Sequence, residues 1–444
     1  MPVKHLTIKE TWAFRAIERR AFAWCFLAFS MGYLAFFLSG DSTRRASLDQ
    51  LFPLGIFGLS LAVIHLTLVM SRYRGDPGLV IPTLFLAGLG LMAQFRMGLF
   101  DFEDPWRLSH FAYPLGIVVM LTTVVLFKRD RYQGLKFFWW ISGLGALGVV
   151  AALVATGTQF RGAVYASGNR TPTEFIKILA VVFLAGYLAR RTESGKRDRG
   201  STFLFLLPIA IFFAALVPLL LWQRDLGMIV NLAGLLVVLI FVATGRWSYL
   251  VAASVVGVGA AFAAFKLFLH GQQRFRVWFD PFFDPTGASW QLLQGLSGMF
   301  SGGLWGAGFG KGNPERIPIA ASDFIYAVIG EELGYFGCLL VVTLFVGFFH
   351  RAYRVAKHTE NPFGALLSVG LTTMIMIQTF LNIGGVTKTV PLTGIPLPFI
   401  SHGGSSLITM FCCLGLLLAV SDGVEPLIES STAAGKRAKR GHSR

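Results

Sequence analysis

Charge is what this chain has least of for its length. Only 14% of its 444 residues are Asp, Glu, Lys or Arg, against roughly a quarter in a soluble domain. So few ionisable groups cannot cover a water-facing surface of that size, which excludes a soluble globular class. Cysteine is scarce as well. Cys25, Cys338, Cys412 and Cys413 all fall in apolar runs, with no CxxC spacing and no neighbouring His cluster. A disulfide framework and a zinc site are therefore not expected, and the four read as small apolar residues. A cleavable leader is also missing from the pattern. The first twenty or so residues are polar and basic, and no small-residue cleavage site follows Phe22–Leu38, so the first span is expected to serve as its own insertion signal. Acids number 23 against 39 Lys and Arg.

Apolar residues, at 54% of the chain, supply what is left. Mean hydropathy is +0.63. Apolar runs recur along the whole length, each long enough to cross a hydrocarbon layer about 30 Å thick. The expected fold is all-α, a polytopic membrane bundle of about twelve spans. These lie near 22–38, 51–70, 79–98, 112–127, 137–156, 176–189, 203–222, 226–243, 248–268, 323–350, 364–384 and 404–420. The sixth is short and is expected to extend back through a turn near Pro172. Pro82, Pro208 and Pro218 fall in or near spans, where neighbouring helices absorb a kink. The organisation is a basic arm (1–21), one membrane domain (22–420) and a basic, disordered tail (421–444).

The basic residues orient the bundle. With the N-terminus inside, the inner segments carry about twice the Lys and Arg of the outer ones. They run from Arg15, Arg19 and Arg20 through KRDRYQGLK and RRTESGKRDRG to the tail KRAKRGHSR. Both termini are then cytoplasmic, and the surplus of positive charge suits anionic headgroups of membrane lipids. The basic residues are scattered over short loops, so no nucleic-acid partner is expected.

This orientation places one polar island outside, between spans nine and ten, at about 269–322. It holds Asp280-Pro281 and Asp284-Pro285, with Arg274 and Arg276 just upstream. Trp290, Leu293, Leu296, Met299 and Phe300 follow at near-helical spacing, pointing to a short interfacial helix with Thr286 as its candidate cap. On spacing alone Asp284 reads first as a turn or cap residue near a helix N-terminus. The glycine-rich GGLWGAGFGKG lacks a preceding strand and a GK[ST] ending, so it reads as a tight turn rather than a nucleotide loop. Ionisable residues bordering other spans are costly there and mark internal cavities or ion pairs. Glu174 and Lys177 lie three apart and can pair on one helix face. Asp225 interrupts spans seven and eight, Glu331 and Glu332 fall inside span ten, and Lys388 lies in the last external loop. His65 reads as a satisfied packing residue.

The order of motifs resembles the SEDS family of shape, elongation, division and sporulation proteins (the RodA/FtsW/SpoVE type). The matching pieces are PTEFIK, QRDLG, RVWFDPFFDPTGASWQ, SDFIYAVIGEELG and PLTGIPLPFISHGG, spread over about residues 160–420. The first 130 or so residues match only in being membrane spans. Members commonly have ten spans, and the additional N-terminal pair resembles longer variants. The resemblance implies a peptidoglycan glycosyltransferase that polymerises lipid II outside the cytoplasmic membrane, partnered by a class B penicillin-binding transpeptidase. It places the essential family aspartate at Asp284. It also brings in Glu174 and Lys177, Asp225, Asp323, Glu331 and Glu332. In the closing loop it covers Pro391, Gly394, Pro396, Pro398, Ser401, Gly403 and Gly404. Departures are a shortened GA-x-RWI segment, and Lys388 and His402 where glycine and tyrosine are common.

That reading carries a mechanism. The 4-hydroxyl of an acceptor sugar attacks the anomeric carbon of a donor held by a polyprenyl pyrophosphate, with Asp284 as catalytic general base. Arg274, Arg276 and Lys388, with Glu174, Lys177, Glu331 and Ser401, are the expected substrate-binding residues. No protein metal ligands are expected, although Mg²⁺ or Mn²⁺ can share the leaving-group charge. The alternatives are a lipid II translocase without catalysis, or a secondary transporter, which the absence of a repeat between the halves weakens.

Overall fold

The computed structural model describes residues 7–39, 51–99, 108–160, 163–165, 172–193, 202–252, 254–255, 257, 259 and 269–424. The helices, in order, are α1 (Ile8–Phe14), α2 (Ala16–Ser39), α3 (Phe52–Met70), α4 (Pro77–Arg96), α5 (Leu108–Phe127), α6 (Trp139–Thr156), α7 (Ile176–Glu193), α8 (Thr202–Gln223), α9 (Leu226–Thr244), α10 (Leu269–Phe279), α11 (Trp290–Gly302), α12 (Ile325–His358), α13 (Pro362–Val386) and α14 (Gly404–Ser421). Among the described residues nine helices are long and apolar enough to cross a membrane, and Phe111–Phe127 is a shorter apolar tenth. The 24-residue α2 is a further long helix, and a helical stretch starts at 247. Much of the ninth expected span, 248–268, lies outside the described residues. The protein is a multi-pass membrane bundle.

Span six extends back through a 3-10 turn, Pro172–Phe175, as its short apolar run requires. Pro82, Pro208 and Pro218, joined by Pro114 of α5, lie inside helices. One feature is absent from the sequence reading: a two-stranded antiparallel ribbon, β1 (Thr158–Phe160) with β2 (Ala163–Tyr165), ahead of α7. The core of the bundle is α14 lying along α5, with α13 bridging α7, α9 and α12.

The N-terminal arm is partly built into the bundle. Arg15, between α1 and α2, is buried and pairs with the equally buried Glu18. His65 of α3 completes the group through Nδ1, 2.9 Å from a Glu18 oxygen. Its Nε2 is buried without a partner among the described residues, so its packing is only half satisfied.

The longest helix is broken, and the break organises the end of the bundle that carries the glycine-rich loop. Gly334 adopts φ +67, ψ −164 inside α12, a region essentially confined to glycine. Helical pairing lapses there, and the freed backbone groups are matched by the glycine-rich loop. The carbonyls of Glu331 and Glu332 accept from the amides of Ala307 (2.9 Å) and Gly308 (3.1 Å), while Tyr335 N–H donates to Gly303 O (2.9 Å). Gly334 and Gly306 meet backbone to backbone, and a Cβ on either would overlap the other strand of the crossing. The two glutamates serve the same purpose with their side chains. Glu331 Oε1 accepts from Asn313 N–H (2.9 Å), and Glu332 Oε2 from Gly310 N–H (3.2 Å). Arg96 of α4 pairs with Glu332 at 3.2 Å and donates to Gly312 O at 2.9 Å. The expected tight turn is therefore a plug seated on a broken helix. Gly334→Ala is expected to cost about 1–3 kcal/mol from backbone strain alone, with overpacking added. The unfolding midpoint in detergent should drop by several degrees, while Gly55→Ala, where nothing lies within 4 Å of the added carbon, leaves it in place.

Candidate functional site

The site is assembled from α10, the turn after it, and the closing loop between α13 and α14. Two faces of α10 do different work. Residues 274 and 278, one turn apart, grip the closing loop. Arg274 Nη1 donates to Leu392 O (3.1 Å) and Thr393 O (2.7 Å), and Trp278 Nε1 donates to Lys388 O (3.1 Å). The other face turns outward, and there the exposed Arg276 guanidinium lies 3.5 Å from the centroid of the Phe283 ring. Of the two sequence-predicted arginines, Arg274 is a clamp on the loop, while Arg276 stands next to the Asp284 turn.

Asp284 is half-buried at the tip of that turn. Its Oδ1 accepts from Gly287 N–H (3.1 Å) and its Oδ2 from Ala288 N–H (2.8 Å). Each oxygen keeps a further lone pair for an outside donor. A side chain on Gly287 would collide with this carboxylate. The aspartate thus plays the turn role its spacing allowed, and the turn aims it. The expected Thr286 cap does not form. Ser289 is the residue before α11, it makes no side-chain cap bond, and Thr286 is exposed. The amides a cap would have served are already taken by Asp284. Asp280 is exposed, and its Oδ1 accepts from Phe282 N–H at 3.1 Å.

Packed against the closing loop lies a buried polar group. Lys177 Nζ is 2.7 Å from Glu174 Oε2, the expected pair, and 2.6 Å from Gln378 Oε1 of α13. Gln378 Nε2 donates to Pro396 O at 2.9 Å. Asp225 caps α9 by accepting from Met228 N–H at 2.9 Å. Burial pushes its carboxyl upward, partly offset by that amide, with Glu174, Lys177 and Arg274 close enough to be felt. Asn382, one turn beyond Gln378, donates to Asp323 O (2.9 Å) and Ile395 O (2.7 Å).

The remaining sequence-predicted residues divide. Ser401 is buried, donates to Ser322 O (2.5 Å) and accepts from Leu397 N–H (2.7 Å), so it holds the closing loop in shape. Glu331 is likewise occupied under the glycine plug. Lys388 is partly exposed and holds φ +60, a left-handed value that glycine adopts more easily. Its side chain makes no ion pair among the described residues. His402 Nδ1 lies 3.1 Å from Gln94 Oε1. Trp278, Gln378 and Asn382 went unnoticed in the sequence reading. The last two did carry a signal, as polar residues at i and i+4 inside an apolar span.

Among the described residues no three His, Cys, Asp or Glu side chains converge into a donor set for an ion. Asp280 and Asp284 instead turn oxygens onto the amides of their own turns.

Lys177→Met leaves Glu174 buried without its cation, which is expected to cost about 3–5 kcal/mol. Adding Glu174→Gln should return most of that loss. Unfolding midpoints of the two single variants and the double variant check this coupling.

Comparison with known proteins extends the picture. The family described as "Cell cycle protein", covering FtsW, RodA and SpoVE, matches residues 79–425. Peptidoglycan glycosyltransferase RodA of Mycobacterium tuberculosis (strain ATCC 25618 / H37Rv) is 32% identical over 403 residues, 85% of this chain and 86% of that protein. Stage V sporulation protein E of Bacillus subtilis (strain 168) is 30% identical over 395 residues, covering 86% and 98%. The crystal structure of Thermus thermophilus Rod shape determining protein RodA aligns with a TM-score of 0.57 at 25% identity, over 78% of this chain and 96% of that one. A chain from work on coordination of polymerization and crosslinking by a peptidoglycan synthase complex shares the fold, with a TM-score of 0.62 at 24% identity over 78% and 97%. The family match starts earlier than the quoted motifs, so α4 to α6 lie within it, while α1 to α3 precede it. The chain belongs to the FtsW/RodA/SpoVE family of multi-pass membrane proteins.

Proposed function

We propose that this protein is a peptidoglycan glycosyltransferase that joins lipid II disaccharides into glycan strands at the outer face of the cytoplasmic membrane. The observation that carries the reading is the half-buried Asp284 carboxylate, aimed by two backbone amides and still able to accept from outside. The acceptor 4-hydroxyl gives its proton to Asp284 as its oxygen bonds to the donor's anomeric carbon. The bond from that carbon to the pyrophosphate breaks, and polyprenyl pyrophosphate leaves. Arg276 and Lys388 are the cations that fit the departing charge, since Arg274 already holds two carbonyls. Glu174, Lys177 and Gln378 support the closing loop from within the bundle.

A divalent cation enters this proposal only as a companion of the pyrophosphate, because the carboxylates among the described residues do not form a donor set. Both termini are assigned to the cytoplasm and the 269–322 segment to the outside by the charge bias. A class B penicillin-binding transpeptidase is the proposed partner, in keeping with the peptidoglycan synthase complex that shares this fold.

The test is chain growth from labelled lipid II in liposomes, with the transpeptidase added. Asp284→Asn keeps the shape and removes the base, so polymer formation should fall by roughly 10²–10⁴-fold. Unchanged growth in that variant, or lipid movement across the bilayer with no polymer from the unmodified protein, would sink the proposal.

A further inference from the structure

Three phenylalanines of the Asp284 turn have no place in the reaction just described. Phe279 is 85% exposed, Phe282 73% and Phe283 44%. Rings left in the open at this density mark a contact surface. They are also held rigidly. Asp280 N–H closes α10 on Arg276 O (2.8 Å), and Phe283 N–H donates to Asp280 O (3.3 Å). The duplicated Asp-Pro turns then fix Phe282 and Phe283 between the two carboxylates, each tied to its own backbone.

The charges among the rings select the occupant. Exposed Asp280 lies between Phe279 and Phe282 in sequence, and Arg276 stacks on Phe283. Seating these rings in hydrocarbon would drag ionised groups in with them, at a cost of several kcal/mol. A sugar ring has the opposite needs. Its C–H faces pack on the negative face of an aromatic ring, and its hydroxyls require carboxylate and guanidinium partners around the edge. Rings interleaved with charges answer both. Gln272, Arg276 and Phe279 share the outward row of α10 at i, i+4 and i+7, a row about 10 Å long that leads toward the Asp284 turn.

We propose that Phe279, Phe282 and Phe283, with Arg276 and Asp280, form a saccharide-stacking platform that holds the glycan strand beside Asp284. This rests on the polymerase reading and names how that site keeps hold of its polymer. Phe283 directly precedes Asp284, which sets one ring of the platform next to the carboxylate in the chain.

The experiment separates binding from catalysis. The full-length protein in detergent is titrated with the β-1,4-linked N-acetylglucosamine hexamer by calorimetry, in wild-type and Asp284→Asn forms. Saturable binding is expected in both. Phe279→Ala and Phe282→Ala should each weaken it about tenfold, the affinity equivalent of one well-packed ring. Phe300→Ala, on an equally exposed ring of α11, should leave it unchanged. In the lipid II assay the platform variants should release shorter strands than wild type. Absence of hexamer binding by folded wild-type protein, or binding indifferent to both platform variants, overturns the proposal. So does hexamer binding retained in variants that have lost association with the transpeptidase or with lipid vesicles, which would assign the rings to a protein or to the bilayer. Hexamer binding that depends on the rings, in a protein that makes no polymer, would remove the polymerase reading and keep the platform.

Discussion

Irregular backbone at the edge of a membrane bundle must find partners for every N–H and C=O, and the site exists because this chain supplies them from side chains. The closing loop between α13 and α14 is the main case. Arg274 takes the carbonyls of Leu392 and Thr393, Asn382 that of Ile395, Gln378 that of Pro396, and Gln94 that of Ile400. Ser401 ties the loop to the segment before α12 through Ser322 O. Three helices and the segment before α12 thus hold a loop that has no regular structure of its own. Lys177 is bound into the same scaffold through Gln378, so the buried ion pair and the loop are one mechanical unit.

The glycine plug answers the same constraint by other means. There the irregular partner is a broken helix, and the carbonyls freed at Gly334 are met by amides rather than by long polar side chains. Glu331 and Glu332 read in the sequence as costly charges inside a span. Their cost is offset locally, by the amides of Asn313 and Gly310 and by Arg96. Glu331, expected as a substrate-binding residue, holds the glycine-rich loop with its side chain.

Much of the fold was legible because membrane spans announce themselves by length and hydropathy, which need no tertiary information. The Glu174–Lys177 pair was legible too, since residues three apart in a helix share a face. What the pattern could not disclose was the division of labour among similar residues. Arg274 and Arg276 differ by two positions and are alike in sequence, yet helical geometry sends one inward and the other outward. The Thr286 cap failed because Asp284, two residues earlier, competes for the same amides. The two-stranded ribbon before α7 is three residues per strand, too short for an alternation to register.

The way Asp284 is held bears on how such a loop can change over time. Its carboxylate is aimed by two amides of the following turn, and the narrowest steric demand falls on Gly287, where any side chain would strike the oxygens. The frame of this centre therefore amounts to an acid and a glycine three places later. Exposed Thr286 meets no such demand, so the turn can change there over time without loosening the two amide bonds of the carboxylate.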